Sequence, residues 1–171
     1  SAKKLIELRS LFAGLPLELV SQGALGIAEA EEPHHTFVEN ALAKARHAAR
    51  LGGMAAIADD SGLCVAALGG APGVQSAHFA SAVGKCADRE GERRAQDAAN
   101  NTLLLSRMAG ISDRRARFVS TLVALRHAED PEPLIAFGRW EATLLRAPRG
   151  ANGFGYDPLF FYPPFGKTFG E

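Results

Sequence analysis

Four stretches of this 171-residue chain concentrate side chains that could do chemistry. The first is Asp59-Asp60-Ser61-Gly62, which follows the apolar run Met54-Ala55-Ala56-Ile57-Ala58. It reads as a buried strand delivering polar residues at its C-terminal end, with residues 63–65 as a continuation. Side chains alternate along a strand, so one aspartate can face a cleft while the other anchors the turn. A carboxylate there can bind a metal ion or take a proton from water. The structural alternative is an Asx-type turn that ends the strand. Ser61 is not a hydrolase elbow, because the Gly-x-Ser-x-Gly pattern is absent.

The second stretch is Glu29, Glu31 and Glu32, in a loop rich in Gly, Ala and Glu that runs through residues 21–35. Loop carboxylates suit Mg²⁺, a hard cation that takes oxygen ligands and keeps several waters; a solvated acidic loop is the alternative. His34 and His35 read as surface residues. The third is Lys3-Lys4 beside Glu7 at the start of a helix. A lysine there opposes the helix dipole unless an anion sits nearby, and backbone N–H groups plus a lysine make a phosphate site. A solvated basic helix end is again possible. The fourth is Gly150-Ala151-Asn152-Gly153-Phe154-Gly155-Tyr156-Asp157-Pro158. Glycines around two aromatics and an aspartate suggest a loop that stacks on a planar ring and hydrogen-bonds to it. An ordinary turn with two core aromatics would look the same.

The elements that must position these groups follow from periodicity. Residues 2–12 carry Leu5, Leu8, Leu11 and Phe12 at helical spacing, with Ser1 placed as the cap. Leu17-Glu18-Leu19-Val20 reads as a short strand. Thr36-Phe37-Val38-Glu39 is a capping box that opens a helix with Phe37, Ala41, Ala45 and Ala48 along one face, ending at Gly52-Gly53. Gly69-Gly70-Ala71-Pro72-Gly73 is a tight loop. Residues 80–95 read as a mobile connection and 96–108 as a helix. Strands are expected over 117–126 and 134–140, with 141–145 continuing or pairing again, and over 159–162. The pattern is one domain, α/β or α+β, with a hairpin-containing sheet and two lobes.

Composition narrows the function classes. Nineteen Lys+Arg balance nineteen Asp+Glu, so the chain lacks the basic excess of a nucleic-acid binder. No apolar run reaches the roughly 18 residues that would span a membrane. The charged, amphipathic start does not read as a secretory signal. Cys64 and Cys86 have no zinc spacing and fit free thiols in a reducing cytoplasm.

Taken in order, these stretches resemble the inosine/xanthosine triphosphate pyrophosphatase family. The resemblance rests on Thr36-Phe37-Val38-Glu39-Asn40-Ala41 with Lys44-Ala45, and on Ala58-Asp59-Asp60-Ser61-Gly62-Leu63. Leu68-Gly69-Gly70-Ala71-Pro72-Gly73 with Ser76-Ala77, and Gly153-Phe154-Gly155-Tyr156-Asp157-Pro158, complete it. It covers essentially all of residues 1–171 as a single domain. It implies an α/β fold with a long mixed central sheet, flanking helices and two lobes around a deep substrate cleft, usually in a homodimer. The implied reaction is Mg²⁺-dependent hydrolysis of ITP, dITP or XTP to the monophosphate and pyrophosphate, in the cytoplasm, with no nucleic-acid or membrane partner.

The same resemblance implies site residues. Lys4 would contact the triphosphate, and Ser1 stands where the family has an Asn. Glu31 or Glu32 would bind the metal, with Asp60 as second ligand or as the base that activates water. Ser61 would contact substrate, and Phe154, Gly155, Tyr156 and Asp157 would line the base pocket. Stacking tolerates any base, so discrimination must come from hydrogen bonds: the loop's backbone N–H groups can donate to a 6-oxo purine, with Asp157 fixing the loop's shape rather than reading the base unaided. The family's first strand and its C-terminal Lys and Ser-His-Arg segment are not in this sequence. His78 and Ala142 replace a usual Arg and Gly. Alternative readings are a pyrophosphatase for other altered nucleotides and a nucleotide-binding module without turnover.

Overall fold

The computed structural model describes residues 2–84 and 88–171. Its spine is a meander of β1 (Ala56–Val65), β2 (Arg115–Leu125) and β3 (Leu134–Leu144), extended by the short β4 (Phe160–Tyr162) and β5 (Lys167–Thr168). Helices α1 (Ala2–Leu11), α2 (Phe37–Gly52) and α3 (Arg89–Arg107) flank it. The helix-flanked central sheet of an α/β chain is therefore present. Where a mixed sheet was expected, every strand pairing among the described residues is antiparallel.

The two lobes follow from a change in which face of the sheet is buried. Near the start of β1, Ala58 packs with Val123 and Leu125 of β2 beneath Ala41 and Ala45 of α2. Further along β1 it is Leu63 and Val65 that are buried, with Ala116, Leu104 and Met108 in a second, larger core. Residues 58 and 63 differ in parity, so their side chains leave opposite faces. The chain segment where the buried face changes is Asp59-Asp60-Ser61-Gly62. Burying no large apolar side chain there leaves both faces of β1 available to polar groups.

Several local expectations need correction. The two aspartates do not end a strand: β1 runs straight through them, with Asp59 opposite Leu122 and Asp60 opposite Thr121. The ladder to β2 satisfies this backbone, so no Asx turn is needed. Leu17-Glu18-Leu19-Val20 forms no strand, since no described strand lies beside it; the Leu19 carbonyl accepts from Arg9 Nη2 at 3.0 Å. Residues 89–95 belong to α3 rather than to a mobile connection. Asp88 caps that helix by accepting from Gly91 N at 2.6 Å, and Glu90 and Glu92 complement the dipole in its first turn.

In α2, Thr36 Oγ1 accepts from Glu39 N at 3.3 Å, and Gly53 closes the helix at φ 63°. Its buried face uses Ala49 rather than Ala48. Residues 134–144 form one strand. Cys64 is a free, half-buried thiol, pushed up by burial; Cys86 and the Ser1 cap lie outside the described residues. Among the described residues no helix is long and apolar enough to cross a membrane.

Candidate active site

The alternation of β1 sends its three adjacent polar residues to two different lysines. On one face, Lys4 of α1 forms an ion pair with Asp59 Oδ2 and donates to Ser61 Oγ at 3.2 Å. Ser61 in turn lies 3.4 Å from the same Asp59 oxygen. On the other face, Lys44 of α2 sits 3.1 Å from Asp60 Oδ1 and 2.8 Å from Glu32 Oε1. The structure thus brings Lys4 and Ser61 together, and Glu32 together with Asp60.

Glu31 is not part of that group. It lines a groove with Ala43, Arg46, His47 and Arg50 of α2. Neighbouring residues of an extended loop point opposite ways, which is why only one of the two glutamates can face Lys44. Among the described residues, no three His, Cys, Asp or Glu side chains converge as a metal cage.

Asp60 is the most deeply buried carboxylate of the site, 6% exposed. Burial pushes its carboxyl above the ordinary value; Lys44 and the nearby Asn40 amide pull it down, Glu32 pushes it up, and burial prevails. Lys44 is raised as well: burial lowers it, but the bond to Glu32 and the charge of Asp60 more than offset that. The shared lysine is thus firmly cationic while the carboxylate stays easier to protonate than usual. Asp60 Oδ1 is held by Lys44, whereas its buried Oδ2 has no hydrogen-bond partner. A buried carboxylate oxygen left bare costs free energy unless something binds it. One or two carboxylates plus phosphate oxygens and water are the usual surroundings of Mg²⁺, so Asp60 Oδ2 and Glu32 fit that ion.

Asn40, wholly buried, ties the acidic loop to this face: its Oδ1 accepts from His34 N at 3.0 Å and its Nδ2 donates to His34 O at 3.2 Å. The tight loop after β1 is locked from the other side. Ser76 Oγ accepts from Leu63 N at 2.9 Å and donates to Gly73 O at 2.6 Å. A Cβ on Gly62 would stand 2.5 Å from both Gly73 O and Ser76 Oγ, so only glycine lets that segment seat against β1.

The 153–157 loop departs from expectation in two respects. Tyr156 offers no stacking face: its ring is 6% exposed within the larger core and its hydroxyl donates to Ser76 O at 2.8 Å. Burial, with the charge of Asp97 adding to it, pushes the phenol well above its ordinary value. The loop's N–H groups are also largely spent. Phe154 N donates to Asp157 Oδ2 at 2.9 Å, Gly155 N to Asp97 Oδ2 at 2.8 Å, and Asp157 N to Phe154 O at 3.2 Å. Asp157 shapes the turn, and Gly153 makes room for it: a Cβ there would lie 2.1 Å from Asp157 Oδ2, at a φ of +76°. Phe154 is left as the half-exposed ring, with the Arg93 guanidinium 5.8 Å from its centroid. Ser1, the remaining expected contact, lies outside the described residues.

Sequence reasoning missed Lys44 as a site residue, although Lys44-Ala45 accompanies the Thr36-Phe37-Val38-Glu39-Asn40-Ala41 stretch. The available signal was a lysine directly before buried Ala45, three residues after buried Ala41, on the helix that packs over β1. Asp97 and Asn101 carried no comparable signal, because their role is to hold a loop more than fifty residues away.

Comparison with known proteins bears on what this arrangement serves. The sequence model of the Ham1 family matches residues 1–171. A protein of Methylibium petroleiphilum named dITP/XTP pyrophosphatase is 73% identical over 168 residues, 98% of this chain and 81% of its own. One of the same name from Leptothrix cholodnii is 64% identical over 171 residues, again 98% and 81%. Among solved structures, a HAM1 protein from Coxiella burnetii superposes with a TM-score of 0.87 at 42% identity, covering all of this chain and 82% of that one. The Staphylococcus aureus Ham1 protein gives 0.81 at 32% identity, covering 99% and 81%.

Proposed function

The chain belongs to the Ham1 family, and on that premise we propose that it hydrolyses deaminated purine nucleoside triphosphates, ITP, dITP and XTP, to the monophosphate and pyrophosphate. The observation that carries the reading is Asp60: a buried carboxylate with one oxygen on Lys44 and the other bare, in a chain 73% identical to a dITP/XTP pyrophosphatase. Phosphoryl chemistry needs positioning and charge neutralisation more than a covalent nucleophile. Lys4 and Lys44 are two cations that can exchange a carboxylate for phosphate oxygens. Mg²⁺ held by Asp60 and Glu32 would neutralise further charge on the triphosphate. Asp60 Oδ2 is the free atom for a ligand or for the proton of the attacking water, and its raised pKa suits the second role.

Base choice belongs to the 153–157 loop in this reading. Phe154 supplies a ring face, and stacking tolerates any base. Discrimination between a 6-oxo and a 6-amino purine must then come from groups that would be left unpaired by the wrong base. A homodimer is part of the proposal. Among the described residues, β3 exposes Leu134, Phe137 and Trp140 along a strand that meets β4 only at Thr143 and Leu144, an edge with no described partner that a second copy can cover. Sedimentation reads that directly.

The deciding experiment is a panel of ITP, dITP, XTP, GTP and ATP with Mg²⁺, scored for pyrophosphate release. We expect kcat/KM for ITP and XTP to exceed that for ATP by at least about 10²-fold, a gap of roughly 2.7 kcal/mol. Equal values for ITP and ATP would leave a general nucleotide pyrophosphatase, and binding without release a module lacking turnover.

A further inference from the structure

Helix α3 takes no part in the chemistry described above, yet one of its faces grips the base-side loop at both polar groups of a single residue. Gly155 N–H donates to Asp97 Oδ2 at 2.8 Å, and Gly155 C=O accepts from Asn101 Nδ2 at 2.8 Å. Asn101 is itself anchored, its Nδ2 also donating to the Asp97 carbonyl at 2.9 Å. Arg93, one turn before Asp97, stands 5.8 Å from the centroid of the Phe154 ring. Residues 93, 97 and 101 lie on one stripe of the helix, since positions four apart share a face.

The loop could otherwise hold its own shape only in part. Asp157 reaches Phe154 N, but nothing inside the loop takes the polar groups of Gly155. Gly155 adopts φ +59°, a left-handed conformation that only glycine visits freely, so its own backbone does little to fix the peptide. The grip from α3 supplies that restraint.

The geometry points to Asp97, assisted by Asn101, as a positioning residue that sets base selectivity by holding Gly155 and thereby the orientation of Phe154. This rests on the function proposed above. A loop held through charge-assisted and amide hydrogen bonds presents its ring at one angle and distance, and selectivity depends on that precision more than affinity does. Loosening it lets the pocket accept a base that a fixed pocket would reject. Asp97 touches no substrate in this account; it acts through Gly155.

The test uses the full chain with Asp97→Ala, Asp97→Asn and Asn101→Ala. Two readouts are taken: kcat/KM for ITP and ATP, and amide hydrogen exchange of peptides spanning residues 150–158. Asp97→Ala should lower the ITP to ATP ratio about 10-fold, chiefly through KM for ITP, and speed exchange within the loop. Asp97→Asn keeps an oxygen acceptor and should restore most of the ratio; Asn101→Ala should fall between. Unchanged exchange in Asp97→Ala overturns the grip. Faster exchange with equal losses for ITP and ATP overturns the selectivity role and leaves a structural strap. No preference for ITP in the unaltered chain would overturn the proposed function, and the selectivity role with it, while the exchange readout still decides whether α3 holds the loop.

Discussion

Replacing Asp60 by Asn should separate activity from stability. Two effects compete in the folded state. Breaking a buried ion pair so that one charge is stranded costs about 3–5 kcal/mol. Lys44 is not stranded here, because Glu32 remains 2.8 Å away and the carbonyl of the substituted amide can still accept from it. Against that loss stands the burial of a carboxylate 6% exposed, which already pushes Asp60 toward its neutral form. Asn carries no charge to desolvate. The net change at neutral pH should therefore be neutral to stabilising by about 1 kcal/mol, a Tm shift of roughly 0 to +4 °C for a chain of this size. The sign reverses nowhere but its size follows pH. A carboxyl whose folded pKa is raised contributes stability below its unfolded value, about 3.9, and loses it as pH rises through the folded value. The variant lacks that loss, so its Tm should equal the parent's in acid and gain on it as pH rises. Turnover, by contrast, should fall roughly 10²–10⁴-fold, about 2.7–5.4 kcal/mol of transition-state stabilisation. Thermal melts from pH 3.5 to 8 beside initial-rate kinetics measure both. A Tm loss of more than about 6 °C at neutral pH would mean that the Lys44 pair outweighs burial, and undiminished turnover would remove Asp60 from the chemistry.

Chelation should abolish pyrophosphate release and Mg²⁺ should restore it; full activity in chelator would refute the Asp60–Glu32 metal assignment. Glu32→Gln should raise the Mg²⁺ concentration needed for half-maximal rate by about 10-fold or more, while Glu31→Gln leaves it within about 2-fold; equal effects would contradict the separation of the two side chains. Lys44→Met removes the cation shared by Glu32 and Asp60, and should cost turnover about 10²-fold or more and push the acid limb of the pH–rate profile upward, since Asp60 loses the charge that lowers it. Gly153→Ala drives a methyl into Asp157 Oδ2 at a left-handed φ, and Asp157→Ala removes the acceptor of Phe154 N, so both should erode the ITP to ATP ratio; an unchanged ratio in both would take the loop out of base selection.

Much of the architecture was legible because it is local. The Thr36 box and Gly53 stop of α2, and the apolar runs of β2 and β3, are written in adjacent residues. What failed depended on distant partners. Leu17-Glu18-Leu19-Val20 has strand composition but no described neighbour to pair with, and Asp59-Asp60-Ser61-Gly62 has turn composition but a complete ladder to β2. Residues 89–95 looked featureless because their helix is charged, and its start is marked only by Asp88. At the site, the residue types of the clusters were readable, whereas their grouping was not. Whether Glu31 or Glu32 faces Asp60 depends on how the loop approaches Lys44, and Tyr156 is removed from any pocket by Ser76, eighty residues earlier.

The grouping itself has a physical origin that composition cannot show. A strand buried on one face throughout would bury either Asp59 and Ser61 or Asp60, and an unpaired carboxylate in an apolar core is too costly to keep. β1 changes its buried face between Ala58 and Leu63, and neither aspartate there is left unpaired: Asp60 is buried but paired with Lys44, and Asp59 is paired with Lys4. Each face then receives one lysine, Lys4 from α1 and Lys44 from α2, and each lysine belongs to a helix on a different side of the strand. Two adjacent residues thereby hold two separate cations, an arrangement suited to a polyanion whose charge is spread over several phosphates. Asp59→Asn and Asp60→Asn should accordingly fail in different ways, the first freeing Lys4 and the second disabling Oδ2. The first should act on KM and the second on kcat; the reverse pattern would assign the chemistry to the Lys4 face.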